Sequence, residues 1–217
     1  MPDDEIDLLA IERGAITAPA GCGKTHLIAK ALTRHDATKP ILILTHTNAG
    51  VVALRGRLDH AGVPPGSYRL MTIDGWAMRL FSMFPGRTGR DPELLKLGNP
   101  ATDYPNIRVA AAKLLKEDHI GDILEASYAR LIVDEYQDCS IRQHALVAYA
   151  AKTLPTCVLG DPMQAIFGFG GDDLAQSNSL IFLEALISSS LPQGERGFMF
   201  LFWSERTNRA IGSHHGP

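Results

Sequence analysis

Short runs of apolar and β-branched residues alternate with amphipathic segments along most of the chain. Continuous apolar runs of four or five residues are typical of strands that are buried on both faces of a parallel sheet. Runs of this kind, and shorter or mixed runs that contain apolar residues, predict strands at 14–17, 41–45, 68–72, 130–134, 156–160 and 198–202. The intervening segments have apolar residues at helical spacing, as at Val51, Leu54 and Leu58. This alternation predicts an α/β fold, a parallel sheet with helices on both faces.

One stretch interrupts the alternation. Residues 85–105 are rich in proline, glycine and asparagine, and a helix is predicted only from about 107 to 117. We therefore expect a short helical insertion at 85–119, set into one domain formed by residues 1–84 and 120–217.

Composition and charge restrict the possible fold size and binding partners only slightly. The 217 residues suffice for one large α/β domain, and the net charge of −3 gives no general basic footprint for nucleic acid. A local DNA-binding groove remains compatible with that charge. The three cysteines lack metal-ligand spacing, which favours a reducing cytoplasm, and no apolar run reaches membrane-spanning length, so no membrane partner is expected.

The segment between the first predicted strand and the following helix has the pattern of a phosphate-binding loop. It differs from G-x-x-x-x-G-K-[ST] only in its first residue, and consists of Ala18, Pro19, Ala20, Gly21, Cys22, Gly23, Lys24 and Thr25. Gly21 and Gly23 permit backbone angles that turn successive N–H groups towards an anion at a helix N-terminus. Lys24 is expected to reach the β- and γ-phosphates, and Thr25 to ligate Mg²⁺.

Acidic residues follow the strand predicted at 130–134. Asp134 comes at the end of this strand and suits the Mg²⁺ side of a nucleotide site, while Glu135 can polarise a water for attack on the γ-phosphate. This pair favours hydrolysis over phosphoryl transfer to a substrate. Gln164, four residues after Gly160, can sense the γ-phosphate through its amide.

Two further groups follow predicted strand ends or glycines. Thr47 and Asn48 can donate to phosphates without adding charge. Trp76, Phe167 and Phe169 are candidate platforms for stacked bases, although packing in the core is an equal alternative for Trp76 and Phe167.

In these motifs the chain resembles the UvrD/Rep-like superfamily 1 helicases, specifically their N-terminal RecA-like ATPase domain. The most specific marks are the phosphate loop at 18–25, Asp-Glu-Tyr-Gln-Asp at 134–138 and Gly-Asp-Pro-Met-Gln-Ala-Ile-Phe at 160–167. The segments at 45–48 and 201–211 are similar to further helicase motifs.

The resemblance implies a P-loop NTPase fold that binds ATP and Mg²⁺ and moves on single-stranded DNA. It implies that Gln137 and Gln164 link the nucleotide state to DNA binding, and that Arg206 contacts the γ-phosphate. With these, the expected catalytic residues are Lys24, Glu135, Gln164 and Arg206.

Several positions depart from the family. Asp74 stands where a histidine is usual, Ala49 where a lysine is usual and Gly170 where an arginine is expected. No residue before the loop matches the glutamine that reads adenine. The sequence also ends soon after Arg206, so we expect a second RecA-like domain, or a partner protein, to be needed for full activity.

Two other functions remain open at this point. One is a nucleotide-gated module that binds DNA or protein with negligible turnover. The other is an unrelated P-loop enzyme such as a small-molecule kinase, which the Asp134–Glu135 pair and Gln164 disfavour.

Overall fold

The strands predicted from the apolar runs form one sheet. The computed structural model describes residues 6–19, 21–36, 38–117 and 120–161, and the backbone alone of 199–204 and 209–214. The strands are β1 (Arg13–Thr17), β2 (Ile41–Thr45), β3 (Tyr68–Thr72), β4 (Leu131–Val133), β5 (Thr156–Gly160), β6 (Met199–Ser204) and β7 (Arg209–His214). They lie in the order β3-β2-β4-β5-β1-β6-β7.

All neighbouring strands in this sheet are parallel except β6 and β7, which are antiparallel. The predicted α/β class with a parallel sheet is therefore confirmed, and the antiparallel β7 is an addition to it. Because β1, β2, β4 and β5 run in the same direction, their carboxyl ends meet at one edge, where α/β sheets bind ligands. We call this edge the strand-end edge.

Helices cover both faces of the sheet. They are α1 (Lys24–Arg34), α2 (Asn48–His60), α3 (Ile73–Met83), α4 (Pro85–Thr88), α5 (Pro100–Lys116), α6 (Gly121–Ser127) and α7 (Ile141–Ala150). Side chains alternate between the faces: Leu42 and Leu44 pack with α3, α5 and α7, whereas Ile41 and Ile43 pack with α1 and α2. This double burial explains why the run that forms β2 is almost entirely apolar.

Helix α5 begins at Pro100, earlier than the predicted start near 107, and contains Pro105. A proline inside a helix loses one backbone hydrogen bond. Here the cost is outweighed by burial of the side chains of Ile107, Ala111 and Leu114 against the sheet layer. The helix packs on α3 and α7. The division of the chain into a main domain and an insertion stays a prediction.

The opposite edge of the sheet holds the N-terminal arm. The arm forms a turn in which Ile6, Leu8 and Ile11 are buried. The buried guanidinium of Arg130 donates to the carbonyl of Leu8, to that of Ile11 at 3.0 Å and to that of Leu9 at 2.7 Å. Burial lowers the pKa of Arg130. This side chain fastens the arm to the start of β4.

Candidate nucleotide site

The phosphate-binding loop has the backbone that its glycines predict. Gly21 and Gly23 have φ angles of 81° and 80°, and α1 begins directly after them with Lys24. No side chain caps this helix N-terminus and its first turn has no acidic residue. Its free N–H groups and helix dipole therefore favour an anion such as a phosphate.

Lys24 folds over the same loop. Its side chain is buried, and the ammonium donates to the carbonyl of Ala18 at 2.9 Å and approaches that of Pro19 at 3.5 Å. The loop itself is tied to β5, because the N–H of Ala18 donates to the carbonyl of Gly160 at 3.0 Å. The positive charge of Lys24 is thus held at the loop that is expected to receive the phosphates. Ala20 lies outside the described residues.

The structure adds a cation that the sequence did not single out. Arg57 on α2 donates from Nη1 to the hydroxyl of Thr25 at 2.8 Å. Arg57 is exposed and lies off the apolar stripe of α2, as is typical of a solvated helix face, and no local sequence pattern indicates that α2 brings it to the loop. Lys24 and Arg57 both act to lower the pKa of Asp134. The polar cluster formed in this way consists of Lys24, Thr25, Arg57 and Asp134.

Asp134 is the anionic member of this cluster. It is 8% exposed, and its N–H donates to the carbonyl of Leu44 at 2.8 Å. Burial, and then the neighbouring charge of Glu135, raise its pKa to about 6, because the two cations only partly offset them. A carboxylate and a hydroxyl (here Thr25) are hard oxygen donors of the kind that Mg²⁺ prefers, so the residues present fit that ion.

The neighbouring Glu135 is held in an unusual backbone conformation. Its φ of 53° lies in the left-handed region, which is costly for a residue with a side chain. Its N–H donates to Asp134 Oδ1 at 3.1 Å, and its carboxylate accepts from Gln137 Nε2 at 2.7 Å. Strain of this kind concentrates at functional sites.

Gln137 joins the acidic turn to the next strand. Besides contacting Glu135, its Oε1 accepts from the N–H of Asp161 at 2.9 Å. This is possible because Gly160 has no side chain: a Cβ there would lie 3.0 Å from that oxygen. Gln137 is buried, so it positions Glu135 and Asp161 relative to each other.

A second polar network lies behind the acidic turn. Ser140 and Gln143 form a capping box at the start of α7. Gln143 Nε2 also donates to Asp74 at 3.1 Å, and Asp74 is paired with Arg108 through two contacts of 2.7 and 2.8 Å. Asp74 therefore ties the start of α3 to α5 and α7.

The residues predicted to bind DNA have different surroundings. Thr47 is exposed and caps α2 by accepting from the N–H of Gly50 at 3.0 Å, which leaves its hydroxyl proton available for a phosphate. Asn48 is exposed beside it.

Trp76 corrects the sequence interpretation. It is completely buried and packs with Ile73, Ala77 and Leu80, so it offers no surface to a base and is a core residue. The spacing of these four residues is that of a buried helical stripe, a signal that was present in the sequence.

Four other predicted site residues lie outside the described residues, and their roles stay predictions: Gln164, Phe167, Phe169 and Arg206. Among the described residues no helix is long and apolar enough to cross a bilayer.

Comparison with known proteins agrees with the motifs. Residues 93–180 match the model of the UvrD/REP helicase N-terminal domain. The chain is 29% identical over 103 residues to an ATP-dependent helicase/nuclease subunit from Leuconostoc mesenteroides, a match that covers 48% of this chain and 8% of that protein. It is 35% identical over 82 residues to the corresponding helicase/nuclease protein of Lacticaseibacillus casei, covering 34% and 7%.

A third relative is the RecBCD enzyme subunit RecB of Buchnera aphidicola, which is 29% identical over 70 residues, covering 31% of this chain and 6% of RecB. The matched part is therefore less than a tenth of each relative's length. The residues matched by the family model include the acidic turn and β5, whose geometry is described above. The sequence motifs, the parallel sheet and these matches agree in showing that part of the chain is similar to the N-terminal domain of UvrD/REP helicases.

Proposed function

We propose that the chain is an ATP-binding and ATP-hydrolysing domain that couples turnover to binding of and movement along single-stranded DNA. The observation that supports this most directly is the convergence of Lys24, Thr25, Arg57 and Asp134 at the strand-end edge, beside an uncapped helix N-terminus. In this proposal the loop at 18–25 receives the phosphates of ATP. We also propose a reducing cytoplasm as the location of the chain, because its three cysteines are buried thiols that form no disulfide.

Each side chain has a distinct part in the proposed reaction. Lys24 neutralises charge on the β- and γ-phosphates, and Thr25 and Asp134 hold Mg²⁺, which supplies further charge neutralisation when bound. Glu135 accepts the proton of the attacking water. Gln137 keeps the Glu135 carboxylate in place through their 2.7 Å contact.

The remaining residues predicted from the sequence also have roles in the proposal. Gln164 and Arg206 are proposed to contact the γ-phosphate, and Phe167 and Phe169 to stack on bases. Thr47 and Asn48 are proposed to donate to the DNA backbone from the end of β2. A second RecA-like domain or a partner protein is proposed to supply an arginine finger, a group that is worth about 10³–10⁵ in rate in related chemistry.

The test is ATP binding and hydrolysis by the chain with and without single-stranded DNA. Lys24→Ala should weaken ATP binding at least about tenfold, because it removes a charge-assisted contact. Glu135→Gln should keep binding but lower turnover by about 10²–10⁴-fold, the usual contribution of a general base. Glu125→Gln, an exposed position on α6, is the matched control and should leave both unchanged.

The alternative is a nucleotide-gated binding module with negligible turnover. Tight ATP binding without hydrolysis, lost only in Lys24→Ala, would favour it. Absence of ATP binding in the parent chain would refute both functions.

A further inference from the structure

A basic groove lies between α5 and α7, away from the residues that form the candidate nucleotide site. It has a volume of about 430 Å³. Its walls hold four cationic side chains: Arg108, Lys113 and Lys116 on α5, and Arg142 on α7. Lys113, Lys116 and Arg142 are exposed.

The charge of this groove differs from that of the chain. Among the residues that the structure describes, Glu117 is the one acidic residue in its lining, and its carboxylate lies 3.9 Å from the ammonium of Lys113. Arg108 is paired with Asp74. Even after these two acids are counted, cations are in excess, whereas the whole chain has a net charge of −3. The lining of the groove therefore has a local excess of positive charge.

The shape of the groove suits an extended, charged chain. Arg108 and Lys116 are eight residues apart on α5, which separates them by about 12 Å along the helix axis at about 1.5 Å per residue. Arg142, Ala145 and Tyr149 form one stripe on α7. Tyr149 thus contributes an aromatic ring beside the cations, the combination with which proteins bind single-stranded nucleic acid.

One end of the groove adjoins the strand-end edge. Arg108 contacts Asp74 in the first turn of α3, which starts directly after the carboxyl end of β3. Arg142 is in the first turn of α7, just beyond the acidic turn. The other end, at Lys116 and Tyr149, points along the helices away from that edge.

We propose that the groove between α5 and α7 binds the phosphate backbone of single-stranded DNA as it leaves the strand-end edge, with Tyr149 against a base. This inference rests on the proposed function for its ligand, but on different residues. An acidic peptide is the competing occupant. The lining disfavours it, since its apolar part consists of alanines, Val109 and Tyr149 rather than a pocket for a large anchoring side chain.

The test is the affinity of the full chain for a fluorescein-labelled oligothymidylate, measured by anisotropy over a range of salt concentrations. Lys116→Glu combined with Arg142→Glu should weaken binding at least about tenfold. It should also reduce the slope of log K against log salt by about 1.4, because each lost phosphate contact on a single strand removes about 0.7. Tyr149→Leu should weaken binding with the slope unchanged.

The matched control is Arg34→Glu combined with Lys39→Glu, which makes the same change of charge at exposed positions near the other end of the sheet. It should leave affinity and slope close to those of the parent, and thermal melting should show all variants folded. An equal loss in the control pair, or no loss in the groove pair, would overturn the inference. So would a polyglutamate peptide that binds in the groove while the DNA slope stays constant.

ATP affinity separates this inference from the proposed function. The groove variants should bind ATP as the parent does. If the parent chain does not bind ATP but the salt slope still depends on Lys116 and Arg142, the proposed ATPase is refuted and the inference about the groove stands.

Discussion

The two ends of β4 each hold a buried charged side chain, and the groups that surround the two charges differ. Arg130 precedes the strand and Asp134 follows it, and they are 7% and 8% exposed. Arg130 is surrounded by three carbonyl oxygens of the N-terminal arm. Asp134 accepts one backbone N–H and has a second carboxylate, that of Glu135, as its neighbour.

The difference separates a charge that backbone dipoles surround from one that lies beside a second charge of the same sign. At Arg130 burial also shifts the pKa, but three backbone carbonyls accept from the guanidinium, which stays charged and holds the N-terminal arm in place. At Asp134 the compensation is incomplete, which is why its pKa rises to about 6. A site that is to bind a cation benefits from such an incompletely compensated anion. Variants at both ends of β4 test this difference.

The largest effect is expected at Arg130. Arg130→Met leaves three buried carbonyls without their donor and should lower the free energy of unfolding by about 3–5 kcal/mol, as for other broken buried polar networks. Urea unfolding measures the loss. Arg130→Lys, which keeps the charge but has fewer donors in a fixed geometry, should lose less. A loss below about 0.5 kcal/mol in Arg130→Met, typical of an ordinary surface substitution, would contradict the structural role.

At the other end, Asp134→Asn should stabilise the chain when Mg²⁺ is absent. The folded-state pKa is raised from 3.8 to about 6, so the folded parent holds the proton more tightly than the unfolded chain. The free energy of unfolding of the parent therefore falls as pH rises through that window. The total is about 3 kcal/mol, since one pKa unit is worth about 1.4 kcal/mol.

The measurement is urea unfolding with EDTA at pH 4.5 and pH 7.5. The advantage of Asp134→Asn should be small at pH 4.5 and nearly complete at pH 7.5. A constant difference would show that Asp134 is not the titrating group. Addition of Mg²⁺ should stabilise the parent more than the variant.

The smallest effect concerns Glu135. Glu135→Gly removes both the left-handed strain and a negative charge beside Asp134, and should raise the free energy of unfolding by about 0.5–1 kcal/mol. The control is Glu117→Gly, at a φ of −84°, which should lower it by a similar amount because glycine gains entropy on unfolding. Destabilisation in both variants would mean that the Glu135 backbone is not strained.

The sheet could be predicted from the sequence because its signal is local. The runs at 41–45, 68–72 and 156–160 match the observed strands residue for residue. Of these strands, β2 and β5 are buried along their whole length, so their apolar runs mark them clearly. The grouping of the phosphate loop with Asp134 followed from the parallel order alone.

What the sequence did not reveal depends on contacts between distant segments. Arg57 meets Thr25 across 32 residues and Arg130 meets the arm across more than 100, and neither has a local pattern. The predicted helix start near 107 was wrong for the opposite reason. The proline at 105 is a local signal against a helix, but the packing of α5 outweighs it. At Trp76 the helical stripe was the better guide, and the motif match the poorer one.

Gly160 has no side chain, yet substituting it is expected to impair the candidate site. Its missing side chain is what allows Gln137 to reach both Glu135 and Asp161. In a genetic screen for loss of ATP turnover, Gly160→Ala should therefore be recovered together with substitutions of Glu135 and Gln137. A map of intolerant positions would then include a residue with no functional group, and the geometry of its neighbours would explain its presence there.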